Sequence, residues 1–325
     1  MSANHANGLA HQAVDEDRVA AVIVTYNPDP LTLGAMLDAL RSQVDRIVIV
    51  DNGSQPAVAG PLAALAAQYD CVFDTLGENA GIATAQNRGI ERVRRLYDDV
   101  PRERQYVLLL DHDSIPAAGM VARLVATDRQ LRARGVRVGA VGPVSVDRRT
   151  GTHARFIVAG RFWLNRVPVA DDGDAALRVD FLIASGTLVR GDVFDAVGGM
   201  DERLFIDHVD TEWCLRAVHR RYALFAVREA FLEHSLGDEV IPIWLGRRRE
   251  VFVHSPVRDY YMCRNTLLVL RGIPMPLAWR AFLVVRMLGS VAFFGLGVAP
   301  RGVRLRRMWQ GLRDGFAGRG GTRGF

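Results

Sequence analysis

Residues 105–114 read QYVLLLDHDS. The apolar run Val107 to Leu110 reads as a buried parallel strand. It stops at two carboxylates one residue apart, Asp111 and Asp113. Ligands of open α/β sheets bind beyond the carboxyl ends of the strands. Two hard oxygen donors there suit Mg²⁺ or Mn²⁺, which combines one or two carboxylates with substrate phosphates. The pair therefore points to a metal-bound diphosphate substrate. The competing reading is that Asp111 caps the next helix and Asp113 is solvated.

Other polar groups fall at comparable places. Val24-Thr25-Tyr26-Asn27 closes the first apolar run, and Asp51-Asn52-Gly53-Ser54 closes the second. Asn79-Ala80-Gly81 and Asn87-Arg88-Gly89 frame the third helical stretch. Singly, each is an ordinary turn or helix cap. Together they line one edge of one sheet, where a nucleotide can lie. Asp51 suits a donor group of a base or ribose. Backbone N–H groups near Gly81 can approach a ligand closely, because glycine has no Cβ.

The elements that must position these groups alternate. Val19–Tyr26, the run ending at Asp51, Cys71–Thr75, Tyr106–Leu110 and Val136–Val141 read as strands. Leu31–Arg41, Pro61–Tyr69, Ala80–Tyr97 and Ala117–Arg134 read as helices between them. That rhythm predicts a doubly wound, mostly parallel sheet. After about residue 150 it breaks into shorter strand-like pieces, Ala154–Leu164, Arg178–Ile183 and Thr187–Val189. A helix near Val209–Arg220 and a strand at Tyr222–Val227 follow. Two helical stretches, Val257–Leu270 and Leu277–Val298, are separated by Pro274 and Pro276, and Pro300 ends the second. The expected organisation is a polar, disordered tail at 1–17, a catalytic domain at 18–240 and a basic, apolar helical region at 241–325.

Composition agrees with a globular enzyme: 325 residues, 49% hydrophobic and 24% charged. The three cysteines, Cys71, Cys214 and Cys263, are widely spaced and form no zinc or disulfide pattern, which fits a reducing cytosol. The N-terminus lacks the apolar core of a signal peptide. The net charge of +5 hides an asymmetry. From Pro242 onward 15 arginines face three acidic residues, for +12, so residues 1–241 carry −7. A basic, apolar end on an acidic body points to an anionic partner surface. The acidic body argues against nucleic acid. Leu277–Val298 is interrupted by Arg280 and Arg286, and its longest uncharged stretch, Met287 to Pro300, has 14 residues. That is short of the roughly 20 needed to span a bilayer. An interfacial helix docked on anionic lipid and a buried core helix both remain open.

The strings VTYN, VDNGS, GENAGIATAQNRG, LLLDHDS, ASGTLVR, GGMDERLFIDHVDTEWCLR and LEHSLGD occur in this order between about Val19 and Gly237. On these the chain resembles the inverting family 2 glycosyltransferases. The resemblance implies a GT-A fold, Rossmann-like, with a C-terminal helical extension. The DHDS and FIDHVDTEWCLRA segments are similar to those of rhamnosyltransferases that use a dTDP-sugar and build bacterial surface polysaccharides. His112 stands where that group often carries glutamine.

By position, the resemblance implies nucleotide binding at Thr25, Asn27, Asp51, Asn79 and Asn87; Tyr26, Asn52 and Gly81, beside them in the same strings, complete the candidate nucleotide-sugar site. It implies donor-sugar contact at Ser185 and Gly186. Asp111 and Asp113 fall on the metal–diphosphate motif, with His234 as a further metal ligand, or else as a histidine hydrogen-bonded in a loop. Inverting transfer needs one carboxylate to take the proton of the acceptor hydroxyl. Asp207, Asp210 and Glu212 supply three at a helix start, where the helix dipole favours acids in any case. Alignment puts Asp210 on the base and Glu212 on the second acid, with Asp207 the alternative two residues away. Arg264 and Asn265 are further candidates for diphosphate or acceptor.

The implied partners are a nucleotide-sugar donor and a lipid-linked or glycan acceptor. The implied location is the cytoplasmic face of the plasma membrane, peripherally bound. Two alternatives stay open: another UDP- or GDP-sugar as donor, and a sugar nucleotidyltransferase. The latter needs a Gly-rich, basic phosphate loop after the first strand, where this chain has Thr-Tyr-Asn-Pro-Asp-Pro.

Overall fold

The computed structural model describes residues 16–148, 150–168, 175–234, 239–244 and 248–324; for 234 and 239–253 only the backbone is described. Most of the tail expected at 1–17 lies outside the described residues.

The chain order is β1 (Arg18–Thr25), α1 (Pro30–Leu40), β2 (Arg46–Asp51), α2 (Pro56–Gln68), β3 (Val72–Thr75), α3 (Ile82–Leu96), β4 (Gln105–Asp111), β5 (Ser114–Pro116) and α4 (Met120–Ala133). It continues with β6 (Val138–Asp147), β7 (Phe156–Ala159), β8 (Leu164–Val167), β9 (Ala176–Val179), β10 (Leu188–Arg190), α5 (Gly191–Val197), α6 (Val209–His219) and β11 (Ala223–His234). The hairpin β12 (Glu239–Trp244) and β13 (Arg248–Val253) precedes α7 (Pro256–Gly272), α8 (Leu277–Ala292) and α9 (Arg301–Phe316).

The main sheet has the order β3-β2-β1-β4-β10-β6-β11-β5, with β9 also on β11. β3, β2, β1 and β4 run parallel, as do β6 and β11. β10 is antiparallel to both β4 and β6. The strands read as continuous apolar runs because both faces are covered. Successive side chains point to opposite faces. Ala20, Val22 and Val24 enter one core with α3, α5 and α6. Val19, Ala21 and Ile23 enter the other with α1, α2 and α4.

Local signals set the helix starts. Asp29 caps α1 by accepting from the Thr32 amide at 2.9 Å, ahead of Pro30 at the first turn. In α3 a Cβ on Gly89 would lie 2.1 Å from Val22 Cγ1, so this glycine lets the helix approach the sheet.

The C-terminal helices pack onto the catalytic body. α7 is buried along most of its length, and its Asp259 pairs with Arg304 of α9 at 2.6 Å. α9 falls within the basic helical region expected at 241–325. Gly311 and Gly315, poor helix formers, are required by contact instead. A Cβ on Gly311 would sit 2.3 Å from the Tyr260 carbonyl, and one on Gly315 2.8 Å from that of Arg264. The apolar helix expected to run to Val298 ends at Ala292 and widens into a π-helical turn, Phe293–Gly297. There Gly295 passes close to Leu305 of α9.

Candidate active site

The loops after β1, β2 and β3 meet at the carboxyl edge of the sheet. Asp51 is buried and accepts from the Thr25 hydroxyl at 3.2 Å, the Ser54 amide at 3.0 Å and the Ser54 hydroxyl. Asn27, at a φ of 48°, accepts the Gln55 amide at 2.8 Å, and its own N–H donates to Ser54 Oγ. Asn52 donates to Asn79 Oδ1 at 3.1 Å and accepts the Ala80 amide at 3.0 Å. Thr25, Asn27, Asp51, Asn52 and Asn79 therefore form one hydrogen-bonded frame. Tyr26 stands 47% exposed above it.

Gly81 has a φ of 93°, and a Cβ there would lie 2.6 Å from the carbonyl of Phe205. That carbonyl accepts the Ile82 amide at 2.8 Å, which ties the nucleotide edge to the segment before α6. Asn87 does not join the frame. Its amide donates to the Met200 carbonyl at 3.0 Å and to Glu202, and its oxygen accepts the Met200 amide at 2.7 Å. This corrects the expected nucleotide contact: the side chain lies on the far flank of α3 and braces the 200–202 loop.

At the end of β4 the Asp111 amide donates to Ser185 Oγ at 3.0 Å, and Ser185 bonds Ser114 at 2.8 Å. Gly186 has a φ of 86°, and a Cβ would collide with Pro143 at 2.5 Å. Ser185 and Gly186 thus hold the turn that presents Asp111. Enclosure, reinforced by the charges of Asp210 and Asp113, pushes the Asp111 carboxyl up to about 7. A carboxylate held at such a cost fits a divalent cation, which would favour its charged form.

Among the described residues no cluster of three metal-ligating side chains converges. The side chain of His234 lies outside the described residues; its backbone pairs with Ser114, next to Asp113. Two carboxylates still fit Mg²⁺ or Mn²⁺, which fills its remaining positions with water and substrate phosphate.

The three candidate acids separate. Asp210 lies in the first turn of α6 and accepts the Ala184 amide at 3.2 Å; burial raises its pKa. It lines a cavity of about 400 Å³ together with Asp111, Asp207, His208, Phe181, Arg258 and Arg286. Asp207 is ion-paired with Arg258 at 2.7 Å.

Glu212 is not in this cavity. Two residues on, at about 100° per residue, it faces the other way. It makes a two-point ion pair with Arg216, at 2.8 and 2.7 Å. Arg216 in turn donates to the carbonyls of Val197 and Gly199. The expected second acid is therefore a packing ion pair in a neighbouring cavity.

The turn that launches α6 is strained. Phe205, Asp207 and His208 all have positive φ. It is held from α7. Asn265 donates to the carbonyls of Leu204, Ile206 and Asp207 at 2.7, 2.7 and 3.0 Å. Arg264 donates to those of Arg203, Leu204 and Gly321. Both side chains are buried, so they do not reach substrate as the sequence suggested. The reading by motif also missed Arg258, Arg286 and the Ala184 amide. Arg286 carried the one visible signal, a charge interrupting an apolar helix.

Comparison with known proteins agrees with this architecture. The model of the glycosyl transferase family 2 matches residues 20–198. The chain is 32% identical over 259 residues to the dTDP-rhamnosyl transferase RfbF of Shigella flexneri, covering 80% of this chain and 82% of that protein. It is 28% identical over 221 residues to an N-acetylglucosaminyl-diphospho-decaprenol L-rhamnosyltransferase of Mycobacterium tuberculosis, covering 60% of this chain and 69% of the relative. The solved structure of S. aureus TarS 1-349 superposes with a TM-score of 0.53 at 14% identity, over 92% of this chain and 80% of that one. The fold is thus of the GT-A type, and the chain is an enzyme belonging to glycosyl transferase family 2.

Proposed function

We propose that this enzyme transfers rhamnose from dTDP-rhamnose, with inversion and with Mg²⁺ or Mn²⁺, to a lipid-linked or glycan acceptor of the cell envelope. The similarity to RfbF supports the donor, and that to the diphospho-decaprenol rhamnosyltransferase supports the acceptor. The observation that carries the reading is Asp210 sharing one cavity with Asp111.

The donor nucleotide lies along the Thr25–Asp51–Asn79 edge, with Tyr26 beside it. Asp111 and Asp113 would hold the divalent cation, which neutralises charge on the leaving diphosphate. Asp210 takes the proton of the acceptor hydroxyl as its oxygen bonds to the anomeric carbon. The bond from that carbon to the diphosphate oxygen breaks on the opposite face. The raised proton affinity of Asp210 suits a base working near neutral pH.

The enzyme works on the cytoplasmic face of the membrane, bound peripherally. Leu277–Gly297 is long and apolar enough to cross a bilayer, but its Trp279, Leu283 and Met287 are buried against the protein. Among the described residues, nine of the fifteen large exposed apolar side chains lie at 277–316, Trp309 and Leu288 among them, interspersed with arginines. That combination supports docking on anionic lipid.

The test is a thermal-shift screen of dTDP-, UDP- and GDP-sugars with and without Mg²⁺, on the native enzyme and Asp111→Asn. Selective, Mg²⁺-dependent stabilisation by dTDP-rhamnose, lost in the variant, is expected. Preference for another nucleotide, or stabilisation equal without Mg²⁺, would overturn the donor or the metal reading respectively.

A further inference from the structure

The catalytic cavity has walls of opposite charge. Asp111, Asp207 and Asp210 line it from the sheet and α6; Arg258 and Arg286 line it from α7 and α8. Arg258 is balanced by Asp207 at 2.7 Å. Arg286 has no carboxylate partner among the described residues, yet its charge reaches the cavity, where it disfavours protonation of His208. A guanidinium with no carboxylate in contact, at the rim of a substrate cavity, offers a site for an anion.

Its position on α8 says which end of which substrate. Val284, Val285 and Leu288 flank Arg286 and are 37%, 65% and 59% exposed, while Leu283 and Met287 face the protein. The same helix turn therefore offers exposed apolar side chains beside a cation that is itself exposed at the cavity rim. An amphiphile with its chain along the outer face would place its headgroup phosphate at Arg286, and sugars attached to that phosphate would extend toward Asp210.

We propose that Arg286 is the anchoring residue for an acceptor phosphate: it binds the phosphate linking an apolar chain to the acceptor sugar, at the rim of the catalytic cavity. This rests on the reading of the cavity as a glycosyl-transfer site. The same chemistry could come from the donor's diphosphate, so the experiment separates the two.

Farnesyl diphosphate serves as the acceptor probe and dTDP–Mg²⁺ as the donor probe, both followed by calorimetry on the full chain. With dTDP–Mg²⁺ saturating, the native enzyme is expected to bind farnesyl diphosphate and to bind farnesol at least tenfold more weakly. Arg286→Gln should weaken farnesyl diphosphate tenfold or more and leave dTDP affinity within twofold. Arg286→Lys should recover part of the loss. Failure of the native enzyme to bind farnesyl diphosphate, or equal binding by Arg286→Gln, overturns the proposal. A parallel loss of dTDP affinity assigns Arg286 to the leaving diphosphate and also overturns it. If dTDP does not bind the native enzyme, the donor reading fails alone, because farnesyl diphosphate binding measured without nucleotide still reports on Arg286.

Discussion

Replacing Asn265 with leucine tests whether the C-terminal helices hold the catalytic turn. The two side chains have similar volume, so packing is nearly conserved. The amide is fully buried; it donates to three carbonyls of the 204–207 turn and accepts from Arg264 Nε at 2.9 Å. Its two N–H groups count as two donated bonds, with a third accepted from a charged group. At about 1 kcal/mol for a neutral bond and about 1.5 for the charge-assisted one, the loss is roughly 3–4 kcal/mol. Leu204 keeps one partner, Arg264 at 3.0 Å, but the carbonyls of Ile206 and Asp207 lose this donor. Three left-handed residues in that turn, each strained by about 1 kcal/mol, then favour relaxation. Asp210 follows directly, and a shift of about 1 Å in a reacting group costs on the order of 100-fold in rate.

The assay pairs urea denaturation with steady-state transfer. Stability should fall by about 3 kcal/mol and kcat by about 100-fold, while the affinity for dTDP changes no more than a few-fold. A loss below about 1 kcal/mol with kcat within twofold of native would refute the bracing role.

The two acids of α6 should respond in opposite ways. Asp210→Asn should lower kcat by roughly 10²–10⁴ at unchanged denaturation midpoint. Glu212→Gln should leave kcat within several-fold but cost about 1–3 kcal/mol, because the partly buried Arg216 loses its carboxylate partner; the reverse pattern would reassign the base. His208, buried against Thr266 at 3.0 Å, has its pKa lowered to about 4 by burial first and by Arg286 second. Its folded value is below its unfolded one, so the unfolded chain binds the extra proton. Stability should be complete above about pH 6.5 and fall by on the order of 3 kcal/mol as pH drops to 4. His208→Gln should flatten that slope in pH-dependent denaturation; an unchanged slope would show that other groups set it.

The parallel half of the fold was legible because its signals are local. Apolar runs with both faces buried, alternating with helices, place every strand end on one edge. Thr25, Asp51, Asn79 and Asp111 could be grouped there without any contact being known. The C-terminal half was less legible. α9 carries Gly311 and Gly315, which argue against a helix by propensity, and only the close approach of Tyr260 and Arg264 explains them.

The sequence by itself determined that carboxylates would stand at a sheet edge beside a nucleotide frame, because strand period and loop position follow from neighbouring residues. Only the tertiary structure decided which carboxylate faces which. Asp210 meets Asp111 across about a hundred residues of chain, while Glu212, on the opposite side of the same helix, turns to Arg216. It also decided that Arg264 and Asn265 hold a turn some 60 residues earlier, leaving Arg286 as the cation that faces the cavity without a carboxylate partner among the described residues. Those assignments depend on packing between distant segments, which no local pattern encodes.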